Sequence, residues 1–404
     1  MSEQSFSFIL DISRLLSRAG QTVPTGIDRV ELAYAEYLLT HHKDNTYFAA
    51  FAFPGWIGFL PKKVVLPFIS ALAAGWNLGK KSNIAKALKI SRALKARLFL
   101  PPTFPVIKGT AIYLLVSHHH LMNIKAIKRF LLRTHAHFIP MIHDIIPIEY
   151  PEYSRPREMM RHKARMKTVM ALADAIIVPT DQVGISVKSL FTSTTRHDLP
   201  IWTIPHGVHQ SIHRKDDYSS KDDTPYFVCL STIEPRKNHM LLLHLWRKIV
   251  EERGKDAVPR LILVGKRGWE NENILDLLER APALQSVVIE KNSLSDEDVA
   301  SLLQNSNGLL FPSFTEGYGL PLTEAMSLSV PSICSDIPVL REIGEDIPLF
   351  IDPLDAPEWE KAIDDFCQHG PLWQAQKERL KTWTPVSWPQ SVHNALEHCM
   401  TIKL

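Results

Sequence analysis

The sequence predicts an α/β protein containing two Rossmann-like halves, and three observations carry that expectation. Residues Gly308–Phe311 read as a short buried strand, followed by a turn holding Gly317 and Gly319 and then a helix with Pro321 in its first turn. The same order opens the chain: an apolar run at 7–12, a turn through Pro24 and Gly26, then an amphipathic helix running to Leu38. The 404 residues suffice for two or three domains, each with its own core, and the polar stretch 211–224 separates the halves as a linker.

Bulk properties narrow the class. No apolar run is long enough to span a bilayer, and residues 1–10 lack the regions of a signal peptide, so the expected location is cytoplasmic. The four cysteines, Cys229, Cys334, Cys367 and Cys399, have neither paired nor metal-ligand spacing and read as reduced structural thiols. Formal charge is +3 overall, yet residues 46–142 contain no Asp or Glu and fourteen Lys or Arg, which leaves the rest at −11. Such polarity marks a face that meets something anionic.

In order, 7–12 is the first strand, 23–38 its turn and helix, and 47–53 the second strand. Residues 54–105 form a basic insertion in which proline and glycine turns alternate with apolar pieces such as 64–74. Within it, 80–99 makes a helix with Ile84, Leu88, Leu94 and Leu98 on one side and Lys86, Lys89, Arg92 and Lys95 largely on the other. A basic amphipathic helix suits a membrane interface, with each cation near anionic headgroups worth roughly 1 kcal/mol. It also suits a domain surface with its apolar side packed inward; the acid-free surroundings favour membrane or lipid-acceptor contact.

Residues 111–117 are a strand leading to His118, His119 and His120. Successive side chains on an extended chain point to alternate sides, so the three cannot share one ion and a turn is expected. Residues 138–142 and 175–179 are further buried strands. His143 and Asp144 follow directly on 138–142, at the carboxyl end of a strand, where open α/β sheets place ligand contacts. After the linker, strand Tyr226–Leu230 leads into 231–238, where Arg236 offers a planar fork and Lys237 a mobile charge for a diphosphate. Strand Arg260–Val264 and Gly265 bring Lys266 and Trp269 to the border of a nucleotide. The acids of 295–298 read as an N-cap with an acidic first turn rather than a metal site. Ser332–Ser335 is a strand, and 336–344, 359–366, 378–382 and 383–400 carry helices.

Glu316 and Glu324 stand eight apart across the glycine turn, with Glu324 expected in the first helical turn. A carboxylate only accepts hydrogen bonds, so it suits hydroxyl-rich ligands. On the residues alone two readings stay open: acids gripping a sugar and a ribose on either side of a diphosphate, or a solvated loop acid and a partner for the helix dipole.

The run Pro312-Ser313-Phe314-Thr315-Glu316-Gly317-Tyr318-Gly319-Leu320-Pro321-Leu322-Thr323-Glu324-Ala325-Met326 resembles the signature of family 4 retaining glycosyltransferases. The likeness is close over 199–353 and loose over the N-terminal half. It implies the GT-B fold: two doubly wound, Rossmann-like domains facing across a cleft, here an acceptor domain at 1–210, the linker, a nucleotide-sugar domain at 225–382, and a C-terminal helix at 383–404 returning to the first domain. It further implies that Glu316 holds the donor sugar's hydroxyls, Arg236 and Lys237 the diphosphate, and Glu324 the ribose, with Gly317, Tyr318, Gly319 and Leu320 lining the donor site. Gly26, with Thr25 and more weakly Arg29, matches a loop near the donor phosphates or the acceptor; a turn and helix cap is the other reading. His143 matches a histidine beside the transferring sugar, the alternative being a structural imidazole donating to a backbone carbonyl. Some members carry a further arginine at the position of Ser231, so phosphate binding would rest on Arg236 and Lys237.

The implied activity is transfer of mannose from GDP-mannose to a glycan or lipid-linked glycan acceptor in cell-surface polysaccharide synthesis, at the inner face of the cell membrane. No cofactor and no metal are expected, since the departing phosphate oxygen is thought to take the acceptor's proton. A UDP-sugar donor and a non-catalytic glycan- or partner-binding relative are the alternatives. Nucleic acid is not an expected partner, because 46–142 lacks a reading motif and interleaved aromatics.

Overall fold

Alternation of apolar strands with longer amphipathic segments resolves into a mostly parallel five-stranded sheet, a parallel two-stranded pair and a parallel six-stranded sheet. The computed structural model describes residues 5–53, 55–191, 196, 198–208 and 224–402. The expected linker, 211–224, lies outside these residues except for Thr224. One unit comprises 5–149, 156–207 and 386–402; the other comprises 150–155, 208 and 224–385.

In the first unit the strands are β1 (Phe6–Asp11), β2 (Thr46–Ala52), β3 (Trp56–Leu60), β4 (Thr110–Leu115) and β5 (His137–Pro140). Their order is β3-β2-β1-β4-β5, parallel apart from the β2–β3 hairpin. The crossover from β2 to β4 on opposite sides of β1 is the doubly wound pattern. β6 (Ile176–Val178) and β7 (Ile201–Thr203) pair in parallel, and Met141 bridges to Ile177, so the chain after β5 continues beside β6. Runs such as Phe-Ser-Phe-Ile-Leu in β1 are nearly continuous apolar sequence because helices cover both faces of the sheet.

The basic insertion is more regular than its turn-like composition predicts. It holds β3, a helix Lys62–Asn77 and a second helix Lys81–Arg97. Pro67 lies inside the first of these, where its missing N–H deprives only the carbonyl of exposed Lys63 in the opening turn. In the second, Ile84, Ala87, Ser91 and Leu94 are buried, and Leu98 just beyond it is buried too. The helices cross so closely that a Cβ on Gly75 would meet Ile84 Cδ1 at 2.5 Å, and Ser91 Oγ donates to the Leu16 carbonyl at 2.8 Å. The apolar side of helix Lys81–Arg97 is therefore spent on the domain, which corrects the picture of an acyl-facing stripe. Lys86, Lys89, Arg92 and Lys95 remain exposed.

The second unit contains β8 (Tyr226–Leu230), β9 (Arg260–Val264), β10 (Val288–Lys291), β11 (Gly308–Phe311), β12 (Ser332–Ser335) and β13 (Leu349–Ile351). All are parallel, in the order β10-β9-β8-β11-β12-β13. Phe227, Leu261, Leu310 and Ile333 pack with Trp246 and Trp359 on one face, and Val228, Leu309 and Cys334 with Leu322 and Met326 on the other. Helix Trp388–Met400 packs in the first unit: Ser391 Oγ donates to the Pro205 carbonyl at 2.6 Å. A Cβ on Gly207 would lie 2.3 Å from the Trp388 nitrogen, so only glycine admits that helix. The four cysteines are free thiols, and burial pushes that of Cys229 up to about 12. Among the described residues no helix is long and apolar enough to cross a membrane.

Candidate active site

β8 and β11 are neighbours in the second sheet, so the loops that leave their carboxyl ends meet. The loop after β8 makes a 3-10 turn at Pro235–Lys237 and ends at Asn238 in the left-handed region (φ 53°). Asn238 tolerates that backbone and donates its side chain to the Pro353 carbonyl at 2.9 Å. The loop after β11 is tied to it by two bonds: Phe314 N donates to the Arg236 carbonyl at 2.8 Å, and Arg236 Nη1 donates to the Thr315 carbonyl at 3.0 Å.

These ties bring together Arg236, Lys237 and Glu316. Arg236 Nη1 donates to Glu316 Oε2 at 2.9 Å, and Lys237 Nζ donates to Glu316 Oε1. A fourth member, Glu234, grips Arg236 Nε through Oε1 at 2.6 Å. Glu316, Lys237 and Glu234 are buried, and the Lys237 ammonium lies 5.2 Å from the centre of the Phe311 ring. Burial alone would raise the Glu316 pKa; the adjacent Lys237 and Arg236 charges outweigh it and hold the carboxyl at about 2. Burial raises Glu234 against the pull of Arg236 and Lys237, and burial with the Arg236 charge lowers Lys237. His239, bonded to Ser231 Oγ at 3.2 Å, is held at about 3 by burial and the Lys237 charge.

The turn after Glu316 rises into helix Leu320–Ser327 through Gly319, whose φ of 114° is open to glycine. A Cβ there would also meet Leu340 Cδ2 at 2.8 Å. Gly317 needs no such conformation; it and Leu320 are half-buried, while Tyr318 is buried, its hydroxyl pKa raised by burial and by Glu342. Glu324 sits in the second helical turn rather than the first, half-exposed. The helix begins at Leu320, three residues past Gly317, which accounts for the shift.

The remaining sequence-derived residues belong to the first unit. Thr25 and Gly26 open helix Gly26–His41 after β1, and the cap reading is realised: Thr25 N donates to Asp28 Oδ2 at 2.7 Å. Buried Asp28 also pairs with Arg14 at 2.6 Å and Arg18 at 3.3 Å. His143, beyond β5, is buried and donates from Nε2 to the Val116 carbonyl at 2.9 Å, leaving Nδ1 as an acceptor. Burial holds this imidazole at about 4. His118 and His206 lie with ring centres 5.3 and 5.5 Å from it. Among the described residues no three His, Cys, Asp or Glu side chains gather as ligands for a metal, and Ser295 and Asp298 form a capping box.

Sequence reasoning missed Glu234 and Arg14. Glu234 directly precedes Pro235-Arg236, and a buried pairing within one turn looks on paper like a solvated run of charge. Arg14 has no motif; burial is the main cause of the lowered pKa of His118, His119 and His143, and the Arg14 charge adds to it.

Residues 212–383 match the family described as glycosyl transferases group 1. The matched region contains the loop pair just described, with Arg236 and Lys237 on one side and Glu316 on the other. Among curated relatives, the chain is 38% identical over 224 residues to O-antigen chain mannosyltransferase B of Escherichia coli, covering 54% of this chain and 58% of that one. It is 28% identical over 245 residues to the serotype-specific mannosyltransferase WbdA of Escherichia coli, covering 56% of this chain but 29% of the relative. The chain thus spans about a third to three fifths of these relatives' lengths. Among solved structures, Anabaena Alr3699/HepE in complex with UDP aligns with TM-score 0.63 over 98% of this chain and all of that one, at 13% identity. That likeness runs through both units and gives the GT-B fold class that the sequence implied.

Proposed function

We propose that this protein transfers mannose from GDP-mannose to a glycan or lipid-linked glycan acceptor in cell-surface polysaccharide synthesis, with retention at the anomeric carbon. The observation that carries the reading is the ion-paired triad of half-buried Arg236 with buried Lys237 and Glu316, inside the glycosyl transferase region of a chain whose relatives are mannosyltransferases. Its chemistry fits the task. A diphosphate brought to Arg236 and Lys237 competes with Glu316 for both cations, and the carboxylate, still ionised, is released to accept hydrogen bonds from sugar hydroxyls. As the glycosidic bond breaks, negative charge grows on the departing diphosphate, and the two cations stabilise it in a site from which water is largely excluded. The departing phosphate oxygen takes the acceptor's proton, so no cofactor, metal or protein base enters the scheme. Glu324 is assigned the ribose. His143, neutral at physiological pH, keeps Nδ1 as an acceptor for a ligand hydroxyl.

The acid-free stretch with its exposed cations supports peripheral attachment to an anionic membrane through electrostatics alone. Substituting Gln for Lys86, Lys89, Arg92 and Lys95 is expected to release the protein from anionic vesicles while its melting temperature holds; unchanged co-sedimentation refutes the attachment.

A UDP-sugar donor is the second reading, favoured by the fold likeness to a protein solved with UDP. Radiolabelled GDP-mannose and UDP-glucose, each incubated with the protein, a lipid-extracted acceptor and EDTA, decide between them. Label moving only from GDP-mannose supports the proposal; label moving only from UDP-glucose transfers it to the second reading; no transfer from either refutes both.

A further inference from the structure

The chain leaves the first unit after residue 149, contributes 150–155 to the second, and returns at 156. This strap makes a 3-10 turn at Pro151–Tyr153 and is held by three side-chain contacts. The Tyr153 ring stacks on Phe314 with planes 1° apart and centres 5.7 Å apart. Trp269 Nε1 donates to the Tyr153 carbonyl at 3.4 Å, and the Arg155 guanidinium lies 4.9 Å from the centre of the Trp269 ring.

One anchor lies in a loop that builds the triad, and the other lies in a loop bonded to it. Phe314 is two residues before Glu316 and bonds to the Arg236 carbonyl. Trp269 lies in the loop after β9, which is laced to the Glu234 loop: Ile233 N donates to Lys266 O, Gly268 N donates to Ile233 O, both at 2.9 Å, and Asn271 Nδ2 donates to the same Ile233 oxygen at 3.0 Å. The turn 313–317 is half-exposed at Phe314, Thr315 and Gly317, so a covering aromatic ring limits its freedom. A carboxylate that must exchange cations for sugar hydroxyls needs a backbone that does not wander.

We propose that the 150–155 strap positions the Glu316 turn for transfer, with Tyr153 as the positioning residue and Trp269 as its second anchor. The assignment to catalysis rests on the function proposed above; the ordering of the turn does not. Tyr153→Phe keeps the ring and the carbonyl, whereas Tyr153→Ala removes the stacked ring, so the two separate stacking from everything else at that position.

The test combines two readouts on the full-length protein. In native-state hydrogen exchange, Tyr153→Ala is expected to speed exchange of the Phe314 amide by about tenfold, the scale of an aromatic stacking contribution, while amides of β8 and β11 stay as in the unaltered protein and Tyr153→Phe matches it. In the mannose-transfer assay, Tyr153→Ala is expected to lower kcat by about tenfold with little change in acceptor KM, rescued by Tyr153→Phe. Unchanged Phe314 exchange in Tyr153→Ala overturns the proposal whatever the assay gives. Faster exchange with full kcat overturns its catalytic half. If the unaltered protein transfers no sugar, the function proposed above falls, while the exchange result alone still decides whether the strap orders the turn.

Discussion

Glu316 and Glu31 are both withdrawn from water, at 8% and 0% exposure, yet they hold opposite protonation states at neutral pH. Glu316, in the second unit, meets a guanidinium and an ammonium and stays ionised, with a pKa of about 2. Glu31, in the first, accepts Leu15 N at 2.9 Å and has Asp11 as its largest charged influence, itself buried and bonded to Ser13 N at 2.9 Å and Tyr113 at 2.8 Å. Burial and that like charge push Glu31 up to about 8. Burial disfavours charge in both places, and what differs is how strongly cations answer it: two ion-paired cations at Glu316, a weak contribution from Arg14 at Glu31. An ionised buried acid with two cationic partners can change partners; a protonated acid beside Asp11 holds a fold together.

Breaking the contrast on the charged side has the largest expected effect. Glu316→Gln keeps shape and removes charge, and mannose transfer is expected to fall on the order of a hundredfold or more in initial-rate assays. Lys237→Met leaves Glu316 with one partner, and urea unfolding is expected to show a loss of about 3–5 kcal/mol, because a buried charge is then only half answered. Equal stability in that variant would mean the pair contributes nothing net.

Smaller effects follow from pH. The folded pKa of Glu31 is raised from its ordinary 4.5 to about 8, so between these values the folded state holds a proton that the unfolded state has released. This residue's contribution therefore declines as pH rises from about 4.5 to 8. Glu31→Gln abolishes that decline, and its melting temperature is expected to exceed that of the unaltered protein at pH 9 and to match it near pH 4. Glu316 has the opposite sign: its contribution is present above 4.5 and fades as pH falls towards 2, so acid unfolding of Glu316→Gln is expected to be shallower. His143, held at about 4, is expected to add no inflection to the rate profile between pH 6 and 8.

Much of this was legible in the residues. The strand, glycine turn and helix around Glu316, and the placing of Arg236 and Lys237 after a strand, follow from local periodicity and turn chemistry, which act over a few residues. Helix Lys62–Asn77 was not legible, because Pro67 and Gly75 punctuate it as turns do, and the apolar packing that overrides them comes from elsewhere in the fold. Amphipathicity in Lys81–Arg97 showed that an apolar face exists but not that Gly75 and Leu16 cover it. Tyr153 on Phe314 lay beyond reach altogether, since a stacking pair drawn from distant parts of the chain leaves no periodic trace.

Calorimetric titration of GDP, UDP and ADP, with EDTA present, tests whether Arg236, Lys237 and Glu316 form a nucleoside diphosphate site. GDP is expected to bind the unaltered protein, and binding is expected to be lost when Gln replaces Arg236 and Lys237 in a variant whose circular dichroism is retained. No binding of any of the three, or binding undiminished in that variant, would contradict it.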